Sequence, residues 1–189
     1  MELVMGVFSA FGLSASAGLN AYIPLLAVAL LGRFTNLIEL KQPWDALTSW
    51  WVIGTLVVLS IIEFFADKVP AVNHINDIIQ TFIRPAAGAI LFAASAKVVS
   101  DVHPIFAMVL GVLVAGSVHA VKSVAIRPAV TATTGGTANV PVSIAEDVVS
   151  TVMSVVSVVL PALVVIIAIL FVSWIVWLMW RRVNRATRT

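Results

Sequence analysis

Long apolar runs separated by short polar breaks set the architecture of this chain. Residues 8–31 are apolar almost throughout, and a helix of about 20 such residues crosses a hydrocarbon core of roughly 30 Å. Within that run Ser14, Ala15, Ser16, Ala17 and Gly18 form a small-residue stretch, which lets a neighbouring helix backbone approach closely. The interval 32–49 carries Arg33, Glu39, Lys41, Pro43 and Asp45, with Trp44, Trp50 and Trp51 towards its far end as interfacial anchors. It reads as a surface loop that can hold a short amphipathic helix. Residues 52–66 predict a second helix, apolar until Glu63 and stopped by Asp67, Lys68 and Pro70. A third begins at Asn73, with Asn76 or Asp77 near its first turn. It passes Arg84 and Pro85, where the proline should kink it, and runs to about Val99.

Asp101, His103 and Pro104 predict a turn into a fourth span over 105–126, which becomes polar at His119 and Lys122 and is ended by Arg127 and Pro128. The stretch from Thr131 through Gly135, Gly136 and Asn139 to Pro141 is too polar to face lipid and too rich in glycine for a stable helix. It predicts an external or re-entrant loop. The last apolar region, 142–180, would measure about 58 Å as one straight helix at 1.5 Å per residue, nearly twice the core thickness. One long helix kinked at Pro161 is the favoured reading, and division into two segments at Pro161 is the alternative.

The pattern therefore predicts an all-α polytopic transmembrane bundle of about five spans, or six, with kinked or broken helices at Pro85, Pro128 and Pro161. A single transmembrane domain occupies 1–180 and a basic tail 181–189.

Composition strengthens this picture: 61% of residues are hydrophobic, 11% charged, and mean hydropathy is +1.09. The start lacks the basic region of a signal peptide, and its apolar run is too long for one, so it reads as a retained span. The absence of cysteine removes disulfides, thiolate metal sites and cysteine nucleophiles. A pI near 9.4 would suit a nucleic-acid partner, but four of the eleven basic residues are Arg181, Arg182, Arg185 and Arg188. That tail reads as a cytoplasmic anchor, and no nucleic-acid partner is expected. Five spans with a cytoplasmic C-terminus put Arg33, Lys41 and Lys97 inside as well. The same topology gathers the end of the second helix, the start of the third, the end of the fourth and the start of the fifth in the outer half of a plasma (inner) membrane.

Those four helix ends carry the candidate site: Glu63, Asp67, Asp77, Arg84, His119, Lys122, Arg127, Asn139, Glu146 and Asp147. A charge in hydrocarbon costs several kcal/mol unless it meets a partner or a water-filled cavity. Glu63 and Asp67, four apart, share one helix face, and with Asp77 nearby they suit holding a cation or sharing a proton. An equally simple reading is that Asp67 and Lys68 mark the interface. Ile83, Arg84, Pro85 and Ala86 recur as Ile126, Arg127, Pro128 and Ala129, while Asp77–Thr81 echoes 147–151. The offsets, 43 and 70 residues, differ, so no single duplication explains both. An arginine before a proline can clamp an anion with two parallel bonds, or lock helices together through a buried acid. His119 and Lys122 lie three apart, with Arg127 further along, as a basic strip opposite the acidic one. Glu146 and Asp147 also suit an ordinary helix start near the positive end of the dipole. No zinc spacing, catalytic triad, phosphate loop, haem or dinucleotide signature is present, so neither an enzyme activity nor a cofactor is expected.

Taken together, Ser14 to Asn20, Glu63 to Pro70, Asp77 with Arg84 and Pro85, and the stretch from His119 through Arg127, Pro128, Thr133, Gly135, Gly136, Asn139 and Pro141 to Asp147 carry a family resemblance. The chain resembles a bacterial integral-membrane family catalogued as a domain of unknown function, number forty-one twenty-six, over nearly its whole length. The resemblance implies a small multi-pass protein and brings no substrate, cofactor or catalytic residue. The functional expectation is a small transporter or channel-like protein, homo-oligomeric in the lipid bilayer, that handles a small ion or anionic solute through the charged cluster. The alternatives are a structural or accessory subunit of a larger membrane complex and a lipid-headgroup binder.

Overall fold

The computed structural model describes residues 2–68, 70–95 and 103–186. Lys97, Asp101 and Arg188 lie outside the described residues, as do the side chains of Asn73, His74, Arg182 and Arg185. The described chain is helical and without strands. Its elements are α1 (Glu2–Leu19), α2 (Tyr22–Phe34), a 3-10 turn (Trp44–Thr48), α3 (Trp50–Ala66), α4 (Pro70–Ala94) and α5 (Pro104–Ala120). A π-helical segment (Val121–Ile126) then leads into α6 (Arg127–Thr134), followed by α7 (Asn139–Val159) and α8 (Pro161–Ala186). Among the described residues, three helical stretches are long and apolar enough to cross a membrane: Ile75–Ala94, Pro104–Thr134 and Asn139–Val159.

Residues 8–31 do not form one span. The run breaks at Asn20, where the side-chain Oδ1 accepts from the backbone N–H groups of Tyr22 and Ile23 at 3.1 Å each and so supplies two of the donors that a helix start leaves orphaned. Pro24 sits in the first turn of α2, where its missing N–H costs nothing. A straight helix would separate Ala10 from Gly32 by about 33 Å. Instead Gly32 packs against Leu40 and Thr48, while Met5, Gly6 and Ser9 share a cleft with Leu37, Ile38 and Glu39. The chain therefore turns back at Asn20, and α1 and α2 form a V-shaped hairpin with its tip inside the bundle.

The other differences concern proline. Pro85 lies inside an α4 that continues through it. Pro128 does not end the fourth span: the π segment runs directly into α6, and the helix continues through the proline to Thr134. Gly135, with φ 61°, makes the left-handed stop. Thr131–Thr134 are thus helical, and Pro141 falls in the first turn of α7, so the loop shrinks to a tight turn around Gly135 and Gly136. At Pro161 the last apolar region divides, because Leu160 leaves helical geometry (φ −134°, ψ 63°). The result is two helices rather than one kinked one.

The interior mixes an apolar core around Leu13, Leu25, Leu91 and Phe92 with many small and polar side chains, while the outside is large and apolar. Among the largest fully buried side chains are Arg84, Lys122, Gln80, Glu63 and Asn20, whereas Phe65, Phe82, Leu113 and Val124 point outward. That inversion fits a lipid surround. At the waist of the bundle α1, α4 and α5 approach closely: a Cβ on Gly88 would lie 2.7 Å from the Gly111 carbonyl oxygen, and one on Gly18 would lie 2.6 Å from that of Ala115. Ser14 donates to the Gly88 carbonyl at 2.9 Å. On the other side of α1, Ser16 bonds Ser150 and Ser154 of α7, a helix whose Ser143, Ser150, Ser154 and Ser157 are all fully buried.

Candidate functional site

The helices α3, α4, α5 and α7 bring their charged ends to the tip of the α1–α2 hairpin. Asp67, just past the end of α3, is the hub. Its Oδ2 lies 3.2 Å from Arg127, 3.8 Å from Arg84 and 3.9 Å from Lys122, and accepts from Ser143 at 3.5 Å. Its Oδ1 accepts from Asn76 at 2.6 Å. A carboxylate at a helix C-terminus is opposed by the dipole, and three cations more than offset that. Deeper in, Arg84 meets Glu63 Oε1 at 3.0 Å, with both side chains essentially inaccessible. Lys122 is held by Glu146 at 2.8 Å and donates to the Leu19 carbonyl at 3.0 Å, one of the orphan acceptors at the end of α1.

Nearer the surface, Arg127 also pairs with Glu146 at 3.2 Å and Asp77 at 3.8 Å. Asp147 joins Lys68 at 3.2 Å and accepts from Asn20 at 3.0 Å. Exposure grades from Arg84 at 0% to Asp77 at 22%, so the network has a partly open mouth and a closed floor.

His119 sits between Arg84 and Thr81. The guanidinium has only donors to offer, so His119 Nδ1 accepts from Arg84 at 3.1 Å. Its Nε2 must then carry the hydrogen and donates to Thr81 Oγ1 at 3.2 Å, which itself donates to the Asp77 carbonyl. The ring is neutral in this arrangement. Five carboxylates (Glu63, Asp67, Asp77, Glu146, Asp147) therefore face four cations (Lys68, Arg84, Lys122, Arg127), one negative charge in excess.

The π segment explains how the basic strip reaches inward. In a regular α-helix Lys122 and Arg127, five apart, would point in different directions. A turn closed by i→i+5 bonds brings residues five apart onto one face, and the N–H of Arg127 bonds the Lys122 carbonyl in that way. Both side chains then reach Asp67 and Glu146.

Of the ten sequence-predicted residues, nine converge. Asn139 does not: it exchanges hydrogen bonds with Thr131 across the Gly135–Gly136 turn. The sequence reading passed over Asn20, Asn76, Gln80, Thr81 and Ser143 as site residues. Asn20 with Pro24 four residues later, inside an otherwise apolar run, was the available signal. Among the described residues, four buried oxygens, Ser60 Oγ, Glu63 Oε2, Asp77 Oδ1 and Gln80 Oε1, and the buried Arg84 Nε have no hydrogen-bond partner.

A family model described as Domain of unknown function (DUF4126) matches residues 7–181. The chain belongs to this family. The match runs from α1 into α8 and so takes in the hairpin and every charged residue of the network. No curated protein and no solved structure matches the chain.

Proposed function

We propose that this DUF4126 protein is a small ion-coupled transporter of the plasma membrane whose charged network receives a small ion or anionic solute. The observation that carries the reading is the helix break at Asn20, set against the network. The α1 carbonyl end contacts Lys122, and Asn20 links the α2 start to Asp147. Broken helices that present backbone ends to a buried charged site are a recurring way of binding ions at membrane depth. Arg84 and Arg127 are the groups suited to an anion, and Glu63, Asp77 and Asp147 those suited to a proton or cation. The basic tail from Arg181 onward is oriented to the cytoplasm in this reading.

The test is reconstitution of the full chain in proteoliposomes and recording of currents under imposed sodium, potassium and proton gradients. A gradient-driven current that Arg84→Gln abolishes, with the variant still monodisperse, is expected. A wild-type protein silent under all three gradients overturns the reading.

One observation favours a second reading, an accessory subunit of a larger membrane complex. Each charged residue of the network has an oppositely charged neighbour within 4 Å, as a static lock between helices would require. Native mass spectrometry of the gently extracted protein separates the two. A stoichiometric foreign subunit supports the lock, and a homo-oligomer supports transport.

A further inference from the structure

The four buried oxygens without a donor lie on two helices, α3 and α4. Ser60 and Glu63 are three apart on α3, and Asp77 and Gln80 are three apart on α4, so each pair shares a helix face. The two faces meet at the Glu63–Arg84 contact, with Gln80 one turn before Arg84. Tyr22, in the first turn of α2, is buried as well. Glu63 and Gln80 are each about 1% exposed.

All four atoms can accept, and the Ser60 hydroxyl can turn a lone pair inward. Buried acceptors in native proteins are ordinarily matched by a donor, a water or an ion. Arg84 occupies Glu63 Oε1 and leaves Oε2 to this oxygen set. Counted with every carboxyl ionised, the network also carries one formal negative charge in excess. A single positive charge restores neutrality, and a divalent ion would overshoot it. Hard oxygen donors select alkali and alkaline-earth ions rather than transition metals, and among the described residues no group of three or more His, Asp or Glu is placed to hold a metal ion.

We propose that Glu63 Oε2, Gln80 Oε1 and Ser60 Oγ bind one monovalent alkali cation, which enters past Asp77 from the partly open mouth of the network. The proposal rests on the transport reading only in making this the coupling ion; the binding itself is testable without flux.

The experiment measures equilibrium binding of radioactive sodium, and separately rubidium as a potassium substitute, to the full-length protein in nanodiscs. Choline chloride holds ionic strength constant. Saturable binding of one of the two ions is expected, displaced by the unlabelled ion and not by choline. Gln80→Leu and Ser60→Ala each remove one ligand oxygen while keeping the network's charge, and each should weaken binding by about tenfold or more. Their unfolding temperatures in choline should match wild type, which guards against a loss of binding through misfolding. Glu63→Gln should abolish binding.

Absence of saturable binding for both ions overturns the proposal. If in addition the unfolding temperature depends on pH in wild type and not in Glu63→Gln, a proton is the occupant. Undiminished affinity in Gln80→Leu and Ser60→Ala overturns the assigned ligands. Ion binding without current under any gradient overturns the transport reading alone, and current without ion binding overturns this site alone.

Discussion

The body of α1 and the break that follows it hold the bundle together by opposite means. Along its length α1 presents Ser14, Ser16 and Gly18 to α4, α5 and α7, and the contacts there are backbone against backbone with short neutral hydrogen bonds. Past its end, at Asn20, the same helices are joined by long charged side chains that converge on Asp67. In lipid neither region can rely on the hydrophobic effect, because the surround is as apolar as leucine. The waist gains from dispersion at close approach, and the network from Coulomb attraction in a medium where unpaired charges are intolerable. Close packing of that kind has little room to rearrange, whereas a network with shared partners has several nearly equivalent pairings. On the transport reading proposed above, the waist would be the frame and the network the part that changes state.

The sharpest test of this contrast is to unpair the floor of the network. Arg84→Met leaves Glu63 buried without its cation and should cost about 3–5 kcal/mol, read as a large drop in unfolding temperature of the protein in detergent. Combining Arg84→Met with Glu63→Met should recover most of that stability, because well-packed apolar side chains can replace a buried pair at little cost. Full destabilisation in the double variant would mean that the pair itself supports the fold, and the division between frame and site would fail.

At the waist the expected damage is steric and not rescuable by charge. A Cβ on Gly111 would overlap the Gly88 carbonyl, so Gly111→Val should cost about 1–3 kcal/mol through forced separation of α4 and α5. The measurement is again unfolding temperature, together with the fraction of monodisperse protein. If Gly111→Val behaves like wild type, the close approach contributes nothing and the frame lies elsewhere.

Much of this arrangement was legible in the sequence, and the exceptions are instructive. The order of apolar segments was enough to bring Glu63, Asp67, Asp77, Arg84, Lys122, Arg127, Glu146 and Asp147 together, because antiparallel neighbours return their ends to the same place. The hairpin was hidden because residues 8–31 have span length, and hydropathy counts residues without registering that Asn20 caps and Pro24 breaks. Pro128 misled in the other direction. A proline does not always end a helix, and here the π turn before it runs directly into α6, which continues through it. That turn also sets the phase of Arg127, which a 3.6-residue period cannot supply. Asp67 was a candidate site residue that also suited an interface marker beside Lys68, and groups from α4, the π segment, α6 and α7 make it the hub. Asn139 was drawn in by loop composition, but a turn this tight spends its polar groups on itself.

The hairpin tip joins the two regions, and Asn20→Ala probes the joint. It removes the acceptor for the Tyr22 and Ile23 N–H groups and the donor to Asp147, at an expected cost of about 0.5–2 kcal/mol, the range for losing a helix cap. Asn20→Asp keeps the cap but sets a carboxylate against Asp147, so any protein that folds should show a weakened network with an intact hairpin. Comparable unfolding temperatures for Asn20→Ala and wild type would show that Pro24 alone maintains the break.

The smallest expected effect belongs to the serine contacts. Ser154→Ala deletes one hydroxyl that bonds Ser16 and the Ser150 carbonyl. Hydrogen bonds between helices within a membrane average about 0.6 kcal/mol, so its unfolding temperature should fall only slightly. Ser16 keeps its bond to the Ser150 carbonyl at 2.8 Å, which limits the loss further. Ser154→Leu should be far worse, since no room exists at a fully buried position against α1. A small loss for alanine beside a large one for leucine would assign the role of this residue to its size. Equal losses would make the hydroxyl itself the holding element, and the waist would then be polar in its energetics as well as its composition.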